Sequence, residues 1–162
     1  MLTSRNMPRF TLGLISDTHG LLRPEAQAAL QGSHAIIHAG DVGNPKILSD
    51  LKSIAPVFAI RGNTDTEAWS AQLPVTEAVE LHGISIYVLH NLNQLDLDPA
   101  ASGFKIVVSG HTHNPDSHWS SDVLYINPGS AGPKRFSLPI TIAQLDLLQT
   151  PWQVKFNEIV KG

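Results

Sequence analysis

None of the 162 residues is a cysteine. Disulfides, thiolate zinc sites, iron–sulfur clusters and cysteine nucleophiles are excluded together. Positive charge is scarce: 11 Lys and Arg stand against 14 Asp and Glu, a net of −3 with histidines neutral. Bulk attraction to nucleic acid or anionic lipid is therefore not expected, and an anionic substrate would need a local cation. No apolar run approaches the ~18 residues of a membrane span, because Ser, His, Asn, Asp or Gly interrupts each candidate. The first nine residues, MLTSRNMPR, carry Arg5 and Arg9 but no apolar stretch of the signal-peptide kind. Residues 1–9 are expected to be a disordered leader and 10–162 a single domain. The cytoplasm is the default compartment.

Hydrophobic residues at 42% and charged residues at 15% describe a globular chain long enough to bury a core without staples. Three apolar runs each lead into polar and glycine residues: Phe10–Ser16 into Asp17, Ala35–Ala39 into Asp41, and Val57–Ile60 into Asn63. Each interval is the length of a compact βα unit. Asn44-Pro45 reads as a helix start followed by an apolar face of Ile47, Leu48 and Leu51, and Pro24 opens a second short helix. Right-handed crossovers make the three strands parallel and bring their polar ends to one sheet edge, where ligand sites lie in open α/β sheets. The second half is richer in strands. Ala78–Leu81 and Ile84–Leu89 flank a His82-Gly83 turn, and Lys105–Ser109, Val123–Asn127, Ile140–Leu147 and Trp152–Ile159 follow. The expected fold class is α/β, two mixed β-sheets packed as a sandwich with helices outside.

Five polar clusters follow strand-like runs: Asp17-x-His19, Gly40-Asp41, Gly62-Asn63-Thr64-Asp65, His90 and Gly110-His111-Thr112-His113. Singly they say little, since chance alone supplies about 0.4 Asp-x-His pairs in this composition. Asp116-x-His118 is such a pair, follows no apolar run and is expected in a solvated loop; His34, His82 and His118 read as surface or turn histidines. A strand places residues i and i+2 on one face. Asp17 with His19, and His111 with His113, can therefore share a site if strand geometry persists.

Taken in order, D-T-H-G at 17–20, G-D at 40–41, R-G-N-T-D at 61–65, His90, G-H-T-H at 110–113 and N-P-G-S at 127–130 resemble the calcineurin-like metallophosphoesterases. The likeness is to their small single-domain phosphodiesterase branch and runs from Phe10 to the end. It implies the αββα metallophosphoesterase fold and two divalent ions, Mn²⁺ first, with Zn²⁺, Fe²⁺ or Ni²⁺ possible. Asp17, His19, Asp41 and His113 would hold one ion, and Asp41, Asn63, His90 and His111 the other. Asp41, Asn63 and His90 carry the catalytic assignment, and Arg61 and Arg135 are candidates for contacting phosphate. Two cations against two carboxylates leave a local positive charge and a metal-activated hydroxide for in-line attack, so no protein nucleophile is needed. The implied substrate is a small phosphodiester. A phosphomonoesterase or nucleotidase, or a non-catalytic protein-binding scaffold like the retromer subunit of this fold, are the alternatives.

Thr64 stands where larger family members have a histidine that protonates the leaving group. Asp65, which would orient that histidine, reads equally here as an N-cap for a helix containing Glu67, Ala68 and Trp69. His38 is read as a core or supporting residue, Asn127–Ser130 as the site's floor, and Trp69 and Trp119, in expected loops, as possible anchors of a homo-oligomer.

Overall fold

The protein is represented by a computed structural model that describes residues 8–160; residues 1–7 of the expected leader lie outside them. The first half alternates strands and helices: β1 (Thr11–Ile15), α1 (Pro24–Leu30), β2 (Ala35–His38), α2 (Pro45–Lys52) and β3 (Val57–Ala59). β4 (Thr76–Leu81), β5 (Ile84–Leu89), β6 (Ile106–Val108), β7 (Asp116–Ser120), β8 (Val123–Asn127), β9 (Ile140–Asp146) and β10 (Lys155–Val160) follow. The helix starts are those expected. Pro24 and Pro45 occupy first-turn positions, where their missing N–H costs nothing, and the Asn44 side chain accepts from the Lys46 N–H.

Two five-stranded mixed sheets result, ordered β10-β9-β1-β2-β3 and β4-β5-β6-β8-β7. β1, β2 and β3 run parallel, as do β5, β6 and β8, while β4, β7, β9 and β10 pair antiparallel. The β4–β5 turn is His82-Gly83, with φ of 51° and 74°. These are the two left-handed residues that a type I′ hairpin requires.

Facing side chains of both sheets make the main core, among them Leu12, Leu14 and Ile37 against Ile86, Ile106 and Ile126. The helices pack outside the first sheet, where Leu30, Ile47 and Leu51 meet Ile15, Ile36 and Ile142. The outer face of the second sheet is covered differently. Leu92, Leu95, Leu97 and Phe104, from the segment after β5, lie on Tyr87, Leu89, Val107 and Val123.

One expectation is corrected. Asp116 to His118 do not form a loop but begin β7, an edge strand hydrogen-bonded to β8. Every β7 residue is exposed, so no apolar alternation marks the strand, which is placed by pairing with β8. Trp119 lies on this strand, half exposed and stacked on Trp152 with ring centroids 6.1 Å apart, while Trp69 packs among the helices of the first sheet.

Candidate metal centre

The six parallel strands of the two sheets end at one edge, and the loops leaving them carry all seven residues expected to bind metal. Asp17 and His19 follow β1, Asp41 follows β2, Asn63 follows β3, His90 follows β5, and His111 and His113 follow β6. The expected reason for the Asp-x-His and His-x-His spacing does not hold. β1 ends at Ile15 and β6 at Val108, and Asp17, His19, Asp41, His111 and His113 all have left-handed φ, between 47° and 72°. The side chains are aimed by turns beyond the strands, in a conformation that Asp and His adopt more readily than most residues. Each such residue costs on the order of 1–3 kcal/mol and persists only where its surroundings fix it. Here they do: the Asp17, His19 and Gly20 N–H groups donate to the Gly40, Asp41 and Val42 carbonyls at 2.8–3.0 Å, lacing the first two exits together.

Two interlocked clusters result. One ligand atom each of Asp17, His19 and His113 come within 4.8 Å of one another, and so do those of Asp41, His90 and His111. His19 Nε2 is 3.7 Å from both Asp17 Oδ1 and Asp41 Oδ2, which places Asp41 beside both clusters. Asn63 Oδ1 lies 3.2 Å from His111 Nδ1.

The carboxylates are almost wholly buried and held by donors. Asp17 Oδ2 accepts from the Ser16 hydroxyl at 2.6 Å and the His111 N–H at 3.0 Å, and Asp41 Oδ1 accepts from the Thr64 N–H at 2.9 Å. Burial alone would raise both carboxyls. The close His113 imidazole, the Ser16 hydroxyl and the charge of His90 hold Asp17 below the ordinary carboxylate range, and the nearby His90 imidazole and the Thr64 N–H do the same for Asp41. Burial depresses the His19 imidazole, and the nearby carboxylates only partly offset it. His90 goes the other way: burial disfavours its cation, but Asp41, Asp17 and the Ala39 carbonyl outweigh that and raise it.

The donor set fits cations. Asp17 Oδ1, His19 Nε2, His90 Nε2 and His113 Nδ1 are buried and lack a hydrogen-bond partner. His90 Nδ1 lies 2.7 Å from the Ala39 carbonyl and must donate its proton there. In neutral His90 the Nε2 lone pair then faces Asp41 Oδ2 at 3.0 Å. Two lone pairs at that distance need a proton or a metal ion between them. Mixed imidazole and carboxylate ligands suit Mn, Fe, Ni or Zn.

Residues around the clusters act on position. Asp65, which the sequence left between two roles, caps no helix. Its carboxylate accepts from the Val42, Gly43 and Gly62 N–H groups, all at 3.0 Å, tying the exits of β2 and β3 together. His38 is fully buried, with Nε2 3.0 Å from the Thr18 hydroxyl and Nδ1 accepting from the Gly40 N–H, and burial lowers it to about 4. The Asn127 amide donates to the Gly110 carbonyl and Thr112 hydroxyl, and Ser130 donates to the Asp17 carbonyl. A Cβ at Gly110 would collide with Ser16 Oγ and lie 2.6 Å from Asp17 Oδ2, and one at Gly62 would collide with Asp41 Oδ1. Both glycines are required for close approach. Sequence reading missed Ser16, whose only signal is adjacency to Asp17.

Arg61 lines a cleft that opens beside Asn63 and His90, and the charge of Arg135 reaches His19. The other histidines are structural. His34 accepts from the Thr11 N–H and stacks on Phe10, His82 sits in the hairpin turn, and His118 bonds Asp116 at 2.7 Å. No helix among the described residues is long and apolar enough to cross a membrane.

The family model for the calcineurin-like phosphoesterase superfamily domain matches residues 10–150. A probable metallophosphoesterase of Methanothermobacter thermautotrophicus is 31% identical over 148 residues, covering 83% of this chain and 86% of its own. A phosphodiesterase of Methanocaldococcus jannaschii is 27% identical over 154 residues, covering 83% and 92%. In three dimensions, the structure of an archaeal phosphodiesterase superposes with a TM-score of 0.77 at 23% identity, covering 91% of this chain and all of that one, a likeness of fold.

Proposed function

This chain belongs to the calcineurin-like phosphoesterase superfamily, and on that premise we propose that it hydrolyses small phosphodiesters at a dinuclear metal site. The reading rests above all on the two interlocked His/Asp clusters whose buried nitrogen and oxygen atoms lack partners. Asp17, His19, Asp41 and His113 hold one ion, and Asp41, Asn63, His90 and His111 the other, with Mn²⁺ the first choice. Asp41 would be shared between them: its Oδ2 lies 3.0 Å from His90 Nε2 and 3.7 Å from His19 Nε2, one in each cluster; Asp17 Oδ1 also reaches His90 Nε2, at 3.7 Å. When bound, the ions supply the positive charge that draws in phosphate and activate water as the nucleophile.

The chain's own groups do the rest. The Thr64 N–H fixes one Asp41 oxygen, leaving the other free to face the ions. The Ala39 carbonyl sets the His90 tautomer, so its Nε2 lone pair points inward. Asn63 is exposed at the mouth and turns its amide toward the phosphoryl oxygens, with Arg61 beside it. No imidazole stands at position 64, so the departing oxygen leaves with little help from a protein acid.

Asp41→Ala tests the reading. Bound metal, measured by elemental analysis, should fall, and turnover of bis(4-nitrophenyl) phosphate should disappear. Full turnover by a metal-stripped sample would refute the mechanism. Preference for a phosphomonoester on the same panel would support a monoesterase, and metal binding without turnover of either ester would support a scaffold.

A further inference from the structure

Beside the metal centre lies a cleft of about 450 Å³ on the outer face of the second sheet. Its inner end is formed by Asn63 and His90. Its floor continues along β5, where the edges of Leu89 and then Tyr87, on one face and about 7 Å apart at ordinary strand rise, reach the cleft from beneath the layer of Leu92, Leu95, Leu97 and Phe104. Val75 and Thr76 at the start of β4 make one wall, and Asn91, Gln94 and Asp96 after β5 make the other. Val75 is 56% exposed, an unusual position for a large apolar side chain that has an apolar trough beside it. A second cleft, of about 260 Å³, lies across the Leu92–Gln94 turn and is lined largely by polar groups such as Asn93, Thr112 and Asn114. The two differ in what they can hold.

We infer that the larger cleft receives one organic substituent of the diester and selects a flat, uncharged aromatic group. This rests on the phosphodiesterase reading only for where the phosphorus sits. A phosphate held between Asn63 and His90 points one ester oxygen along β5. A ring attached there meets the edges of Leu89 and Tyr87 that line the cleft, covered on its side by Val75. Asp96 on the rim opposes a second anionic group at that end, while Arg61 neutralises the phosphate at the other. The pocket's mixture of an apolar floor and a few polar edges is that of small-molecule sites generally.

Binding of diphenylphosphinate and dimethylphosphinate tests this without any bond being broken, since both are diester-like anions with stable P–C bonds. The full chain loaded with Zn²⁺ is titrated with each and followed by NMR. Diphenylphosphinate should bind about tenfold or more tightly than dimethylphosphinate, on the usual scale for filling an apolar pocket. It should also shift the methyl signals of Val75 and Leu89. Val75→Glu, at an exposed wall position where folding is tolerant, should abolish most of that preference and weaken dimethylphosphinate less. Equal affinities overturn the inference, as does a phenyl preference that leaves those methyls unmoved and survives Val75→Glu. The outcomes separate from those of the enzyme reading. Phenyl preference with no diester turnover keeps the pocket and removes the activity, whereas turnover without phenyl preference does the reverse.

Discussion

Replacing Asp65 should damage both folding and metal binding, although Asp65 belongs to neither ligand cluster. The residue is 4% exposed, and its carboxylate collects three backbone N–H groups. Val42 and Gly43 follow Asp41, and Gly62 precedes Asn63, so these bonds fix the approach of two ligand-bearing loops. In Asp65→Ala the Val42 and Gly62 donors are left buried without acceptors, while the exposed Gly43 N–H can turn to water. At about 1–3 kcal/mol for each orphaned donor, the loss is roughly 2–6 kcal/mol. Set against the ~5–15 kcal/mol of a typical domain, that is severe. Asp65→Asn is milder. Its amide oxygen can keep Val42 and Gly62 on the side of Oδ2, and only the Gly43 bond, on the side of Oδ1, turns unfavourable. Urea unfolding of the full chain should show an Asp65→Ala midpoint lower by on the order of 1–3 M, with Asp65→Asn between it and wild type. Calorimetric titration with Mn²⁺ should follow the same order in affinity. An unchanged midpoint for Asp65→Ala, or an Asn variant worse than the Ala one, would sink the argument that backbone acceptors are what this residue supplies.

Three further outcomes follow from the buried histidines and from Thr64. Burial lowers His38 from 6.5 to about 4, so the unfolded chain binds a proton that the folded one refuses across that interval. Stability should drop as pH falls from 6.5 towards 4, by roughly 3 kcal/mol at 1.4 kcal/mol per pH unit. Urea midpoints measured for the wild type and His38→Asn should diverge there, and equal slopes would remove His38 from the account. His90 is raised, so in the metal-free chain its contribution is present below 6.5 and fades as pH rises through its higher folded value. Metal must displace that proton: calorimetry in buffers of different ionisation enthalpy should record proton release on Mn²⁺ binding near pH 7, and less in His90→Asn. With Thr64 in place of an acid, aryl diesters should outrun alkyl ones by the ~10²–10⁴ that general acid catalysis usually contributes. Thr64→His should narrow the gap. Wild-type rates insensitive to leaving-group acidity would show that another group already delivers the proton.

Most of the architecture was legible because the governing signals are local. Apolar runs ending in Gly, Asp and Asn marked the three parallel strands of the first sheet, Pro24 and Pro45 marked helix starts, and His82-Gly83 marked the hairpin. β7 was not legible. A strand with no buried residue carries no periodicity, and its place comes from pairing with the β8 backbone, which no pattern within Asp116–Ser120 encodes. The covering of the second sheet by the segment after β5 was hidden for a related reason. Leu92, Leu95, Leu97 and Phe104 are spaced irregularly, and only the shape of the face they cover makes them a layer.

At the candidate centre, residues that the structure does bring together were reached by an incorrect geometric route. The i, i+2 spacing suggested side chains on one face of a strand, yet five of the seven residues sit in left-handed turns beyond the strand ends. What brings them together is parallel strands ending at one edge, with loops close enough that neither Gly62 nor Gly110 could carry a side chain. The spacing therefore reflects how many residues a tight exit needs before the backbone can reverse and bond its neighbour, as Asp17, His19 and Gly20 do to the exit of β2. The rigidity of those exits is also why the supporting residues resist detection. Ser16, Asp65 and Asn127 act on carboxylates, N–H groups and carbonyls of loops distant in sequence, so their role exists only once the exits have met. The glycines are the exception, since a position that must lack a Cβ is recorded in the sequence itself.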